Sequence, residues 1–301
     1  MVLNKRTKRL VFVIFGCLFC LNLLAGIAVY DLSRPQLLEV VFFNVGQGDA
    51  IFIETSEKHQ ILIDGGPGSI ILEKLAKELP FYDRSLDLVI LTHPEKDHLA
   101  GLIEVLKSYK INKILWTGIV RDTFEWQKWE DLIKKEGAQI KIAKAGQRMI
   151  LKETDTPIFF DILYPFESLE GQEFKDSNET SIVGRLVLGT DSFLFTGDIG
   201  ESTERKLIDK NINSDVLKIA HHGSKYSSSG EFLEKVSPEI AAIQVGKNSY
   251  GHPHPEVLAK LKQFGIQVLR TDKDGDIKIV SDANNFKVLN PKSAGRKADS
   301  P

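Results

Sequence analysis

The apolar run Leu86-Asp-Leu-Val-Ile-Leu91, followed at once by Thr92-His-Pro-Glu-Lys-Asp-His98, constrains this chain more than any other segment. The run has the length and composition of a buried strand. Directly after it, His93, Glu95, Asp97 and His98 place four metal-capable side chains within six residues. Leu99-Ala-Gly101 then opens a helical pattern. A strand end that turns into a helix start converges such groups on one point, where one or two divalent ions can be held. A solvated polar loop is the plain alternative, and the spacing of the other histidines argues against it.

Short strand signals alternate with amphipathic helices along the rest of the chain. Strands are expected over 37–44, 50–55, 59–64, 86–91, 111–116, 139–142, 159–163, 181–188, 192–196, 216–220, 240–245, 267–271 and 276–280. Helices are expected over 70–78, 99–107, 124–136, 203–209, 230–236 and 254–264. Both halves interleave helices with hairpins, which predicts two packed sheets with helices outside, a four-layer α/β/β/α sandwich. No linker interrupts residues 36–289, so they read as one domain, followed by a polar, disordered tail at 290–301.

The N-terminus carries an address. Lys5, Arg6, Lys8 and Arg9, within a basic segment 1–9, precede an apolar run from Leu10 to Tyr30. At about 1.5 Å per residue such a run makes a helix of about 30 Å, enough to cross a bilayer. The basic flank puts the N-terminus in the cytoplasm and the globular part outside it. A cleaved signal peptide, with Gly26-Ile-Ala28 as its cleavage site, is the competing reading. Either one makes the domain extracytoplasmic, attached to the cell membrane by a single helix in the first case.

Both cysteines, Cys17 and Cys20, lie in that run, so the globular part has neither disulfides nor a thiolate metal site. A metal there must be held by imidazole and carboxylate. The formal net charge of −2 gives no global argument for nucleic acid and leaves room for a local basic groove.

Of the seven histidines, six fall in three pairs: His93 and His98, His221 and His222, and His252 and His254. Each pair follows a strand or opens a helix. Asp198 ends another strand in Phe195-Thr-Gly-Asp198. Singly, Asp198 could cap a helix and His252 could be a turn residue. Jointly, buried strand ends bearing carboxylates and imidazoles are costly unless the groups are paired or metal-bound.

His93-x-Glu95-x-Asp97-His98 resembles the His-x-His-x-Asp-His signature of the metallo-β-lactamase fold superfamily. Within it the chain is most similar to the extracytoplasmic hydrolase domain of the ComEC DNA-uptake family. Asn44-Val-Gly-Gln-Gly-Asp-Ala50, Ile63-Asp-Gly-Gly66, Phe195-Thr-Gly-Asp198, Ile219-Ala-His-His-Gly-Ser224 and Tyr250-Gly-His-Pro-His-Pro255 occur in family order. The multi-pass channel of that family is absent, so DNA translocation does not carry over.

The resemblance implies a two-metal hydrolase using zinc or manganese, here a nuclease or other phosphodiesterase acting on DNA. Its alternatives are a hydrolase of another envelope phosphodiester or ester, phosphocholine decorations included, and a non-catalytic subunit of an uptake machine. Glu95 stands where the superfamily usually has histidine, and no histidine lies between His98 and Asp198. The implied ligands are then His93, Glu95, Asp198 and His222 for one ion, and Asp97, His98, Asp198 and His254 for the other. Asp97 and His221 are the catalytic candidates, and His221 can exchange roles with His222. Gly48, Asp49, Asn178, Lys225 and Tyr250 are candidate substrate contacts, with Lys247 beside them. Asp272-Lys-Asp-Gly-Asp276 imitates a calcium loop, but Ile277 and Ala283 stand where glycine and glutamate are required, so it reads as a hairpin turn.

Overall fold

Strand β1 (Leu38–Phe42) shows how the layers arise, because both of its faces are apolar and both are buried. Val40 and Phe42 belong to one hydrophobic cluster, and Val41 with the following Phe43 belongs to another. A strand buried on both sides needs a partner layer on each. The structure, a computed structural model, describes residues 5–33, 37–152 and 156–289.

In chain order after the N-terminal helix α1 (Lys5–Ser33), the first half contains β1, β2 (Ile51–Glu54), β3 (Gln60–Ile63), α2 (Ile70–Glu78) and β4 (Ser85–Ile90). It continues with α3 (Lys96–Ser108), β5 (Lys110–Trp116), α4 (Phe124–Glu136) and β6 (Gln139–Ile142). Next come β7 (Arg148–Lys152), β8 (Ile158–Tyr164), β9 (Val183–Leu188), β10 (Asp191–Phe195), α5 (Glu201–Leu207) and β11 (Val216–Lys218). The chain closes with α6 (Gly230–Val236), β12 (Ile240–Ile243), α7 (Pro255–Gln263), β13 (Gln267–Arg270), α8 (Thr271–Asp274), β14 (Ile277–Ser281) and β15 (Phe286–Val288).

One sheet runs β15-β14-β1-β2-β3-β4-β5-β6, the other β13-β12-β11-β10-β9-β8-β7. Between them lies a cluster of Phe42, Ile53, Phe160, Leu186, Phe193 and Phe195. Leu102, Trp129 and Ile71 pack α2, α3 and α4 on the outside of the first sheet, and Leu207, Phe232 and Leu261 pack α5, α6 and α7 on the second. The four-layer expectation is met. The parallel runs are β3 to β6 and β10 to β13, and ligand-bearing loops belong at the carboxyl ends of such strands.

Helix α3 begins at Lys96, three residues before its expected start, because Pro94 disfavours helix at the residue preceding it and Glu95 serves as the extended N-cap. Asp97 and His98 therefore sit in its first turn. Strands β7 and β15 were not expected; both are short, half-exposed edge strands without clean alternation. The expected hairpin turn at 272–276 is instead a helical turn, Thr271–Asp274, ended by Gly275 at φ 77° and joining strands of different sheets, with Asp272 paired to Arg270 rather than arranged as a calcium loop.

The chain divides into two units, at residues 36 and 37. The first contains α1, whose Phe12, Phe15 and Phe19 are exposed. Among the described residues no helix is long and apolar enough to cross a membrane, so the expected span over Leu10–Tyr30 is not borne out by the fold. The expected disordered tail, 290–301, lies outside the described residues.

Candidate metal centre

Three strand ends deliver the centre. After β4, Thr92 donates its N–H to Asp64 Oδ1 at 2.8 Å and its hydroxyl to Asp64 Oδ2 at 2.6 Å. That fixes the turn carrying His93, which is fully buried. Its Nδ1 lies 3.1 Å from Thr92 Oγ1 and 3.2 Å from Ser181 Oγ, so Nε2 is the nitrogen left to face the cluster. One turn into α3, His98 sets Nδ1 2.8 Å from Asp64 Oδ2 and turns Nε2 toward Asp198 Oδ2, 3.3 Å away.

Asp198 follows β10, its N–H donating to Ser181 Oγ at 3.0 Å. Its Oδ2 is a point of convergence: besides His98, His222 Nε2 lies 3.3 Å and His221 Nε2 4.0 Å away. After β11, His221, His222 and Gly223 all adopt left-handed backbone, at φ 51°, 54° and 82°. Two such non-glycine residues in a row cost on the order of 1–3 kcal/mol each, and that strain turns His222 inward. His222 Nδ1 lies 2.9 Å from the Gln244 carbonyl, which leaves Nε2, 3.2 Å from Asp97 Oδ2, as the cluster-facing nitrogen.

The buried floor is charged. Lys218, at the end of β11, is 1% exposed; its ammonium bonds the Gly197 carbonyl at 2.8 Å, lies 3.3 Å from Asp198 Oδ1 and pairs with Asp49. Burial opposes ionisation throughout, yet His222, His98 and Lys218 hold Asp198 well below the usual carboxylate range. Burial likewise opposes charging of His98 and His222, but Asp198 and Asp49 push both imidazoles up, with Asp64 adding to the push at His98. His93, buried and next to His98, is instead pushed down to about 3.

His93, Asp97, His98, Asp198 and His222 thus offer ligand atoms in two overlapping sets, His93–His98–Asp198 and Asp97–His98–His222. The buried Nε2 atoms of His93 and His98 have no hydrogen-bond partner. Unpartnered buried nitrogens aimed at a carboxylate-lined point fit a divalent cation of the borderline or harder kind.

The remaining candidates fall into different places. His221 stands on the wall of a cleft of about 300 Å³, 31% exposed, with Nε2 3.5 Å from Asn178 Nδ2. Tyr250 lines the same cleft and is exposed. Lys225 lines an adjoining cleft of about 430 Å³ that shares Asp176, Asn178, Asp198 and His221 with the first. Gly48, expected as a substrate contact, is instead buried against the Asp97 carbonyl, at φ 137°, where any Cβ would overlap that oxygen. Asp49 is buried too, its N–H donating to the same carbonyl at 3.2 Å.

Two expected ligands are not brought into the cluster. Glu95 accepts from Arg121 Nη2 at 3.0 Å and from Ser177 Oγ. His254 caps α7, its Nδ1 accepting from the Glu256 N–H at 3.3 Å, a role announced by Pro255 at the first helical position. His252 comes nearer, its ring 5.4 Å from that of His221 and its pKa pushed down to about 4 by burial and by His221. Asp64 and Lys218 were missed as site residues. Asp64 had a signal, since it closes a strand in Ile63-Asp-Gly-Gly66; Lys218 had none.

The profile of the Metallo-beta-lactamase superfamily matches residues 43–247. ComE operon protein 3 of Bacillus subtilis is 30% identical over 298 residues, covering 92% of this chain and 37% of that protein. Competence protein ComA of Neisseria gonorrhoeae is 33% identical, covering 84% of this chain and 34% of that one. The chain spans about a third of the length of these relatives. Among solved structures, Igni18, a metallo hydrolase of Ignicoccus hospitalis, aligns with a TM-score of 0.52 at 17% identity over 80% of this chain and 98% of its own, a likeness of fold.

Proposed function

The chain belongs to the metallo-beta-lactamase superfamily, and from that premise we propose that it is a metal-dependent phosphodiesterase acting on DNA. The observation that carries the reading is the convergence of two unpartnered imidazole nitrogens, from His93 and His98, with Asp97, Asp198 and His222. The similarity over most of the chain to a protein named for competence supports DNA as the substrate.

In this reading Asp97, His98 and His222 would hold one divalent ion, zinc or manganese, and His93, His98 and Asp198 would face a second. Such ions supply Lewis-acid polarisation of the phosphoryl oxygens and acidify water to near neutral pH. Lys218 occupies Asp198 Oδ1 and leaves Oδ2 for the centre. His221, on the wall of the cleft, gives a proton to the departing oxygen. Lys225 and the Tyr250 ring, both exposed beside the clefts, meet the backbone and bases of the substrate.

A second substrate class, an envelope phosphodiester bearing a cationic group, would meet Asp176, Glu179 and Glu201 in the adjoining cleft, where the Lys225 ammonium already lies 5.0 Å from the Tyr226 ring centroid. The location outside the cytoplasm rests on the basic residues Lys5, Arg6, Lys8 and Arg9 ahead of the apolar run, and fractionation of cells tests it. For the activity, the metal-loaded chain is assayed on single-stranded DNA, bis-p-nitrophenyl phosphate, p-nitrophenyl phosphocholine and nitrocefin. Cleavage of DNA, abolished in Asp198→Ala, supports the reading; a chain without metal or turnover is a binding subunit instead.

A further inference from the structure

Glu95 occupies the metal-loop motif and lines the cleft at the metal centre, yet its Oε1 is held by Arg121 and Ser177. Arg121, from the segment between β5 and α4, donates from Nη2 to Glu95 and from Nη1 to the Phe174 carbonyl at 3.2 Å. Ser177 donates its hydroxyl to the same Glu95 oxygen, and its own carbonyl accepts from Thr180 Oγ1 at 2.6 Å. The segment between β8 and β9 is further tied to residues 118–120: Gly171 N–H to the Gly118 carbonyl at 2.9 Å, and Val120 N–H to the Gln172 carbonyl at 2.8 Å. Between the ties stand Lys175 and Asp176, and directly after the last stands Asn178; all three line the cleft at the metal centre.

We propose that Glu95 is the anchor of a clamp, not a metal ligand: Glu95, Arg121 and Ser177 set residues 171–178 beside the metal centre and so position Lys175, Asp176 and Asn178 toward substrate. The inference rests on the metal-centre reading above. An exposed ion pair would carry little weight. Here Glu95 is 36% exposed, but the Arg121 side chain is only 17% exposed and Ser177 is fully buried. Swinging Glu95 to the cluster would strip a charge-assisted bond from a largely buried guanidinium and leave a buried hydroxyl without its acceptor. It would also loosen the segment that walls both clefts. Glu95 is therefore a positioning residue, acting on substrate through the residues it holds in place.

The test compares the full wild-type chain with Glu95→Ala, Arg121→Met and Asp198→Ala. Three readouts are taken: bound manganese or zinc after gel filtration, the rate of tryptic cleavage after Lys175, and kcat and KM on bis-p-nitrophenyl phosphate. Glu95→Ala and Arg121→Met are expected to keep the wild-type metal content, to be cut after Lys175 roughly tenfold faster, and to raise KM more than they lower kcat. Loss of metal from Glu95→Ala to the extent seen in Asp198→Ala, or unchanged cleavage after Lys175 in both clamp variants, overturns the proposal. Failure of the metal-centre reading shows separately, as a wild type without metal or an Asp198→Ala that binds as much; the tryptic readout decides the clamp in that case too.

Discussion

His98 Nδ1 lies 2.8 Å from Asp64 Oδ2, and both residues are fully buried. The contact points the opposite nitrogen of His98 at Asp198, so Asp64 orients the His98 ring from behind. Partners of this kind typically change metal affinity by about 10–100-fold when removed. Asp64→Asn is accordingly expected to weaken metal binding by that factor in competition with a chelator, with an unchanged circular dichroism spectrum.

Neighbouring histidines after β11 are expected to separate cleanly. His222 is buried between Asp97 and Asp198, whereas His221 stands on the cleft wall. His222→Ala should lose metal. His221→Ala should keep it and lose turnover by roughly 10²–10⁴-fold, the usual range for a general acid. Metal analysis and kinetics on the same preparations check both.

Packing behind the centre makes a prediction independent of metal. Gly101 in α3 sits against Gly65, and an added Cβ would overlap the Gly65 carbonyl oxygen and the backbone of the turn after β3. Gly101→Ala should cost about 1–3 kcal/mol in denaturant unfolding, as over-packed sites do, and added metal should not restore the wild-type midpoint.

Away from the centre, Glu204 in α5 is buried under the backbone N–H groups of Ser228 and Ser229, and burial pushes its carboxyl above the ordinary 4.5 despite those donors. The folded state then binds more protons than the unfolded state between 4.5 and the raised value. This contribution to stability is present at lower pH and is lost as pH rises through the folded pKa. Unfolding free energies measured from pH 4.5 upward should fall less steeply in Glu204→Gln than in the wild type.

The architecture was legible because its signal is local. Strand runs such as 86–91 and the apolar stripe Ile71–Leu75 of α2 can be read without knowing their neighbours, and both are found as expected. The motif at the ends of β4, β10 and β11 was legible for the same reason. What stayed hidden depends on partners distant in sequence. Glu95 is turned by Arg121 and Ser177, 26 and 82 residues away, which no spacing rule within its own motif contains. Lys218 reads as a strand-end lysine bound for solvent until Asp49 and Asp198 enclose it. The choice of His222 over His221 follows from left-handed backbone, which no side-chain pattern announces.

The central claim is that His93, Asp97, His98, Asp198 and His222 form a metal centre that cleaves phosphodiesters. The most direct test is the rate at which the full chain, stripped with chelator and reloaded with manganese or zinc, cleaves single-stranded DNA, beside Asp97→Ala treated identically. The account predicts cleavage that disappears on stripping, returns on reloading and is lost in Asp97→Ala. Cleavage that survives stripping, or that Asp97→Ala retains at the wild-type rate, would contradict it.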